Sequence, residues 1–390
     1  MEMVLTPMRD DERDEVARFL SLAFTSTRED IAQWITVAGP GHFRVLRDGG
    51  RAVSCLLKIP MGQFIGGRSV PLMGIAGVAV PPEFRGRGYA RRMMQLALAE
   101  ARADGFALSG LYASTQTLYR SVGYEQSAHR FRIHVPMASM GVTDRTGGVV
   151  PLTEEDMPAV KECHRRFAGA WDGTLDRGEY LWARVKSNRG VAYSGYGIRG
   201  SSGLIDGYVW WSATRKPDTG RHDMELSDLA FTSESACRRI LGFLADFGSM
   251  ADGFSFHGGP THPALLAMPQ QRFTITSKDF HLTRVVDVRR ALEGRGYQAG
   301  VDAEFSISVA DEVIPENNGP FTVKVSGGRA VVEPGGLGRV RMQVRALASI
   351  LGGFVTPRQA ALLGWVEGDE ASIATLEALR ASTPWVSEMY

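Results

Sequence analysis

The sequence predicts a mixed α/β protein in three successive units, and three observations carry that prediction. An apolar, strand-like run, Gly74-Ile75-Ala76-Gly77-Val78-Ala79-Val80, ends at Pro81-Pro82; Arg85-Gly86-Arg87-Gly88 and a long proline-free Ala/Leu/Met/Arg segment follow. The stretch Val149-Val150-Pro151-Leu152-Thr153-Glu154-Glu155-Asp156 then repeats the opening of the chain, Leu5-Thr6-Pro7 followed by acids and a helix. Further on, Phe305-Ser306-Ile307-Ser308-Val309 and Phe321-Thr322-Val323-Lys324-Val325 alternate with period two, as half-buried antiparallel strands do.

The first unit starts with a short strand at Met3-Val4-Leu5. Asp10-Asp11-Glu12 opens an amphipathic helix through Leu20 and Phe24, with acids where the helix dipole favours them. A second helix covers Glu29 to Val37 and contains Trp34. Strands follow at Phe43 to Arg47, Ala52 to Ile59 and Ser69 to Val80. A helix from Ala90 to Ala103 has Met93, Met94, Leu96, Ala97 and Ala101 at near-helical spacing, and Asp104-Gly105 ends it with a left-handed cap. Ala107 to Ala113 reads as a strand, Ser114 to Val122 as a short helix, and Phe131 to Val135 as the closing strand. Strands, then helix, strand, helix and strand describe a mixed sheet.

Met140 to Gly148 is rich in Gly, Thr and Asp and reads as a linker. The second unit continues with a helix over Ala159 to Phe167, a Trp171/Tyr180/Trp182 cluster, strands at Val191 to Ile198 and Leu204 to Ser212, and a helix from Ser233 to Phe247 with Ser233 as its cap. The third unit has a short helix from Val288 ending at Gly294, the meander completed by Ala330-Val331-Val332, and helices at Val340 to Leu351 and Glu370 to Arg380. The chain stays apolar and aromatic to its last residues, Pro384-Trp385-Val386-Ser387-Glu388-Met389-Tyr390. Ends are ordinarily polar and frayed, so this one is expected to dock inside the protein. The expected divisions are 1–140, 149–283 and 284–390.

Bulk composition excludes several classes. With 44 basic and 43 acidic residues among 390, no net field attracts nucleic acid. No apolar run approaches the length of a membrane span, and the N-terminus lacks the basic-then-apolar order of a secretory signal. Cys55, Cys163 and Cys237 are odd in number and widely spaced, which points to a reducing, cytoplasmic setting and to small buried hydrophobes. His257 and His262 flank a Gly258-Gly259-Pro260 turn, not a ligand-bearing helix, so no metal site is expected.

The Arg-Gly-Arg-Gly turn carries the chemistry. The first N–H groups of a helix lack partners inside it, and the peptide dipoles add partial positive charge there. Gly86 and Gly88 let an anion approach the backbone, and Arg85 and Arg87 add full charges. A basic glycine turn that merely starts a helix is the bland alternative. The pattern Arg-x-x-Gly-x-Ala from Arg85 to Ala90 resembles the acetyl-CoA signature of the GCN5-related N-acetyltransferases (GNATs). Together with Val285-Val286-Asp287-Val288-Arg289-Arg290-Ala291-Leu292-Glu293-Gly294-Arg295-Gly296-Tyr297, which opens the third unit, the chain resembles the Eis (enhanced intracellular survival) family nearly end to end.

That resemblance implies two tandem GNAT-like domains, the second without the cofactor turn, followed by a sterol-carrier-protein-like domain. It implies acetyl transfer from acetyl-CoA to an amine, with no metal. The family's general acid is a tyrosine after an Ala-Ser pair and before a Gly-Tyr, which here is Tyr119, between Ala113-Ser114 and Gly123-Tyr124. On its residues alone Tyr119 reads sooner as a core aromatic, as Tyr112 and Tyr124 do; the resemblance favours the acid. The family's base is the carboxylate of its last residue, here Tyr390, where the family usually ends in a different aromatic. Cofactor contacts are expected from the strand Val78-Ala79-Val80, from Arg85, Gly86, Arg87, Gly88, Tyr89 and Ala90, and from Ser114.

The acceptor side departs from the family. Members that acetylate aminoglycosides carry acids in the loop after the first helix and before the terminal residue; this chain has Thr25-Ser26-Thr27 and Met389 there. Removing carboxylates weakens a site for polycations. Trp34 is expected to line the acceptor cleft, and Gly77, where the family can have a bulky aromatic, to leave it wider or differently shaped. The expected acceptor is a small-molecule amine, an aminoglycoside or another amine-bearing natural product. A protein lysine, or a non-catalytic lipid-binding or effector role, is the alternative. Family members assemble as hexamers, so a homo-oligomer is expected.

Overall fold

The computed structural model describes residues 3–141, 144–200, 203–379 and 382–390. They form two compact units. One comprises residues up to Ser127, His281–Ser382 and Tyr390; the other comprises Ala128–Phe280 and Thr383–Met389. The units therefore cut the chain elsewhere than the three expected segments: the first and third share one unit, and the last seven residues before Tyr390 belong to the other.

In the first unit, β1 (Met3–Pro7), β2 (Phe43–Asp48), β3 (Arg51–Ile65) and β4 (Arg68–Ala79) are successive antiparallel neighbours. Helices α1 (Arg13–Phe24) and α2 (Arg28–Ala38) intervene between β1 and β2. Thr25 adopts the left-handed conformation that ends α1, and Thr27 caps α2 by accepting from the Asp30 N–H. Helix α3 (Tyr89–Ala103) connects β4 to β5 (Leu108–Tyr112), which lies parallel to β4. It buries Met93, Met94, Ala97, Leu98 and Ala101, and Gly105 (φ 89°) supplies the expected left-handed stop. Short helix α4 (Gln116–Arg120) then leads to β6 (Glu125–Pro136). The far edge of β5 pairs antiparallel with His281–Val285.

The meander is as expected: Ala303–Ala310, Gly319–Ser326 and Arg329–Pro334 pair in sequence. The segment expected as one helix from Val340 does not form one. Val340–Gln343 is a strand parallel to Ile307–Ala310, and the helix is Val344–Leu351. Alternate burial of Val340 and Met342 is the period-two signal that the apolar run hid. The last expected helix covers Glu370–Thr375 and tightens into a 3₁₀ turn to Leu379; Arg380 lies outside the described residues.

A buried ion pair joins these parts of the unit. Arg284 donates to both carboxylate oxygens of Asp311 (2.6 and 2.7 Å) and to the Val122 carbonyl. Burial alone would raise the Asp311 pKa, but Arg284 outweighs it and holds the carboxyl below its ordinary value. Asp311→Ala is expected to cost about 3–5 kcal/mol of stability in chemical denaturation, because a buried guanidinium is left without its carboxylate. An unchanged midpoint would deny the pair that role.

The second unit repeats the strand–helix–parallel strand arrangement: His222–Phe231, helix Glu234–Ala245 and Ala251–Gly258. Both flanking strands were missing from the sequence reading. Its helix start differs in kind from that of α3. Ser233 caps it by accepting from the Ala236 N–H, and Glu234 puts an acid in the first turn, so the N-terminus is satisfied from within. The expected linker is partly anchored here: Arg145 pairs with Asp246, and Arg239 donates to the Gly147 carbonyl. Val142 and Thr143, also part of that expectation, lie outside the described residues.

The terminal tail is woven into this unit. Trp385 and Val386 are fully buried, the Trp385 N–H donates to the Asp172 carbonyl, and Val386 pairs with the His129 carbonyl. Arg177 binds both Asp228 and Glu388. The three cysteines are free and buried, and His262 is a core residue that caps the short helix Pro263–Leu266. Among the described residues no helix is long and apolar enough to cross a membrane.

Candidate active site

The site lies in the first unit, where β4 and β5 part. Their parallel ladder runs over Leu72↔Leu108, Met73↔Ser109 and Gly74↔Gly110 and stops there, although β4 continues to Ala79 and β5 to Tyr112. On the other edge of β4 the register slips between Cys55 and Leu57, opposite Ala79 and Ala76. Gly77 makes that bulge with φ 58°. The result is a fork whose β4 arm carries Val78 and Val80, half-exposed, with backbone groups that no partner strand takes up on that side. Arg85 Nε donates to the Val80 carbonyl, tying the turn back to the strand.

Below the fork the Arg-Gly-Arg-Gly turn leads into α3. Gly86 (φ 77°) and Gly88 (φ 78°) are both left-handed, and a side chain built at either would meet nothing within 4 Å. Gly88 is the N-cap of α3 and offers no side chain to it; the first intrahelical bond is Arg92 N–H to Gly88 O, so the N–H groups of Tyr89, Ala90 and Arg91 precede the ladder. Arg85 and Arg87 are exposed beside them. Open space, N–H groups outside the helix ladder and two exposed cations not paired with a carboxylate among the described residues suit a pyrophosphate. Tyr89 can take part only through its backbone: its side chain is buried and its hydroxyl bonds Asp48 at 2.7 Å. Ser114 is exposed in the bend between β5 and α4.

Tyr119 sits on α4, 5% exposed, its ring edge-on to Tyr124. Burial alone pushes its phenol up to about 12, so it keeps its proton throughout the neutral range. Tyr124 is a core residue, fully buried and bonded to Ser109, as expected. Tyr112 is not. It is half-exposed and makes edge-to-face contacts with Tyr390 (5.7 Å) and His281 (5.3 Å).

Tyr390 is 9% exposed and belongs to this unit. Its ring fills the base of the fork: a Cβ at Gly74 would lie 2.9 Å from Tyr390 Cε2, and one at Gly110 would lie 2.8 Å from Tyr390 Oη. Glycine is required on both sides of the last rung of the ladder for the terminal ring to fit. The docking expected of the aromatic terminus is realised. Gly74, Gly110, Tyr112 and His281 were missed by the sequence reading, and no local signal marks them, because the fork and the chain's end meet only in space.

Of the acceptor residues, Trp34 is half-buried between the Gly77 bulge, Phe24 and Phe43. This corrects the wider cleft expected from Gly77, though not a differently shaped one. A Cβ there would already be 3.1 Å from Trp34 and 3.2 Å from Leu20, so the missing side chain does not widen a cleft; Trp34 and Leu20 occupy the space. Ser26 is half-buried and donates weakly to the Phe24 carbonyl. Met389 is half-buried and belongs to the other unit.

Comparison with known proteins agrees with this geometry. Acetyltransferase (GNAT) domain models match residues 5–127 and 173–289, and a sterol carrier protein domain model matches 288–387. A GCN5-related N-acetyltransferase structure from Anabaena variabilis superposes with a TM-score of 0.95 at 28% identity, covering 100% of both chains. An uncharacterized N-acetyltransferase of Streptomyces avermitilis is 25% identical over 98% of each chain. N-acetyltransferase Eis of Mycobacterium tuberculosis is 27% identical over 85% of each chain. Eis1 of Mycobacterium abscessus shares the fold, with a TM-score of 0.80 at 19% identity over the full length of both chains.

A forked parallel sheet, an uncapped basic helix start and these matches define an acetyl-CoA-dependent acyltransferase. The chain belongs to the GNAT acetyltransferases, and within them it is Eis-like, with two GNAT domains and a sterol-carrier-like domain.

Proposed function

We propose that this chain moves the acetyl group of acetyl-CoA to a primary amine of a small molecule, with the Tyr119 phenol as general acid and the α-carboxylate of Tyr390 as base. The observation that carries this reading is the burial of the terminal residue at the β4–β5 fork, in the same unit as Tyr119 and the anion turn. Bound acetyl-CoA supplies the acetyl group and a thiolate leaving group. The N–H groups at Gly88, Tyr89 and Ala90, with Arg85, Gly86 and Arg87, hold its pyrophosphate. Backbone groups of Val78, Ala79 and Val80 pair with the pantetheine amides, and Ser114 bonds the end of that arm.

An amine at neutral pH is mostly ammonium, so attack needs a proton acceptor. A terminal carboxylate has an ordinary pKa of about 3.5 and is ionised whenever it is needed. The departing sulfur needs a proton, and a phenol held up to about 12 retains one to give.

The acceptor reading follows from the wall around Trp34. Phe24 is 48% exposed and edge-on to Trp34, and the adjoining Thr25-Ser26-Thr27 loop has no charge. Such a wall suits an amine on an apolar or aromatic body better than a polycation; Ser26 and Trp34 would shape it. With the thiol-release assay, kanamycin and tobramycin are expected to react roughly tenfold more slowly than phenethylamine, given about a kcal/mol for each missing partly buried carboxylate. Faster turnover of either aminoglycoside would refute the charge argument, and a lysine peptide in the same panel separates the protein-lysine alternative. A cytoplasmic hexamer is part of the proposal, resting on kinship to Eis.

A further inference from the structure

The terminal ring is held by more than shape. Tyr390 Oη lies 2.7 Å from His281 Nε2, and both groups are buried. His281 stands opposite Tyr112 in the register of the neighbouring strand, so the three rings form one edge-to-face cluster. Burial pushes the His281 imidazole down to about 3, leaving it neutral, with one N–H and one acceptor nitrogen. Its Nδ1 faces Ser127 Oγ and Thr283 Oγ1, each at 3.4 Å; Ser127 Oγ is itself 2.6 Å from Thr283 Oγ1 and within bonding distance of the His281 carbonyl.

These hydroxyls close on one another inside the core. The network holds the ring by its far end. It also matches the side chain at the end of this chain. A terminal ring without a hydroxyl would leave Nε2 buried and unbonded, a state that native structures avoid.

We propose that His281 is a positioning residue for the reaction: by hydrogen bonding Tyr390 Oη it locks the last residue's ring against Gly74 and Gly110, and so fixes the direction of the α-carboxylate. This rests on the reading of that carboxylate as the base. An amino-acid ring is rigid from Cβ outward, so holding its far end restricts the χ angles that aim the carboxyl group.

The test uses the full chain with Tyr390→Phe, His281→Leu and the double variant. Two readouts are taken: release of the terminal residue by carboxypeptidase Y under native conditions, scaled to its release from the urea-unfolded chain, and kcat and KM for acetyl-CoA. Tyr390→Phe retains both ring and carboxylate. It is expected to release its last residue roughly tenfold faster and to lose roughly tenfold in kcat with KM unchanged, the scale set by one unsatisfied buried polar group. The double variant, with both polar partners gone, is expected to recover most of both losses. Release from Tyr390→Phe as slow as from the native chain overturns the anchor, whatever the rate. Faster release with unaltered kcat upholds the anchor and removes the terminal carboxylate from the chemistry instead. If His281→Leu fails to fold, Tyr390→Phe alone decides.

Discussion

Removing Tyr390 is expected to lower kcat by about 100-fold or more, the range general-base catalysis supplies, while acetyl-CoA still binds. The deletion takes away the proposed base together with the ring that anchors it at the fork, and leaves a carboxylate displaced by a residue. Trp385 and Val386, which hold the tail in the other unit, are untouched, so the fold is expected to survive. A C-terminal tag is expected to act in the same way, because the amide it creates cannot accept a proton. The measurement is initial-rate thiol release at saturating amine, alongside thermal melting to show that the variant is folded. A tagged enzyme with full turnover would rule out the terminal base.

Tyr119→Phe is expected to reduce kcat by about 100-fold, within the usual span for a lost general acid, and to leave the KM for acetyl-CoA within a few-fold of its starting value. The ring stays, so packing against Tyr124 stays. Only the proton donor goes, and its hydroxyl has no hydrogen-bond partner among the described residues to be left behind. The sign of the pH effect is fixed by burial. A pKa raised to about 12 means that the protonated acid persists as pH rises through the working range, so the wild-type rate should show no alkaline fall from this group below about pH 12. A variant with unchanged turnover would return Tyr119 to the core aromatics.

Much of the cofactor side was legible because its chemistry is local. Helix α3, its glycine stop and the left-handed Gly86 and Gly88 all follow from residues within about two turns of one another. The period-two strands of the third segment were equally plain. The misreadings have a common cause. Val340–Gln343 belongs to a strand only because Ile307–Ala310 offers it an edge, and Gly77 looks like empty space until Trp34 is seen to fill it. Tyr112 reads as a core ring until a residue 278 positions away comes to lie against it.

By itself, then, the sequence determined the mixed α/β class, the left-handed glycine turn after Phe84 and the character of a terminus too apolar to hang in water. Those are properties of neighbours along the chain: propensity, periodicity and the absent side chains of glycine. Only the tertiary structure decided where that terminus goes, that Gly74 and Gly110 must be bare to receive it, and that His281 waits there to bond its hydroxyl. Contacts between residues hundreds of positions apart leave no imprint on local pattern; they exist because folding brings the strands, the fork and the chain's end to one place.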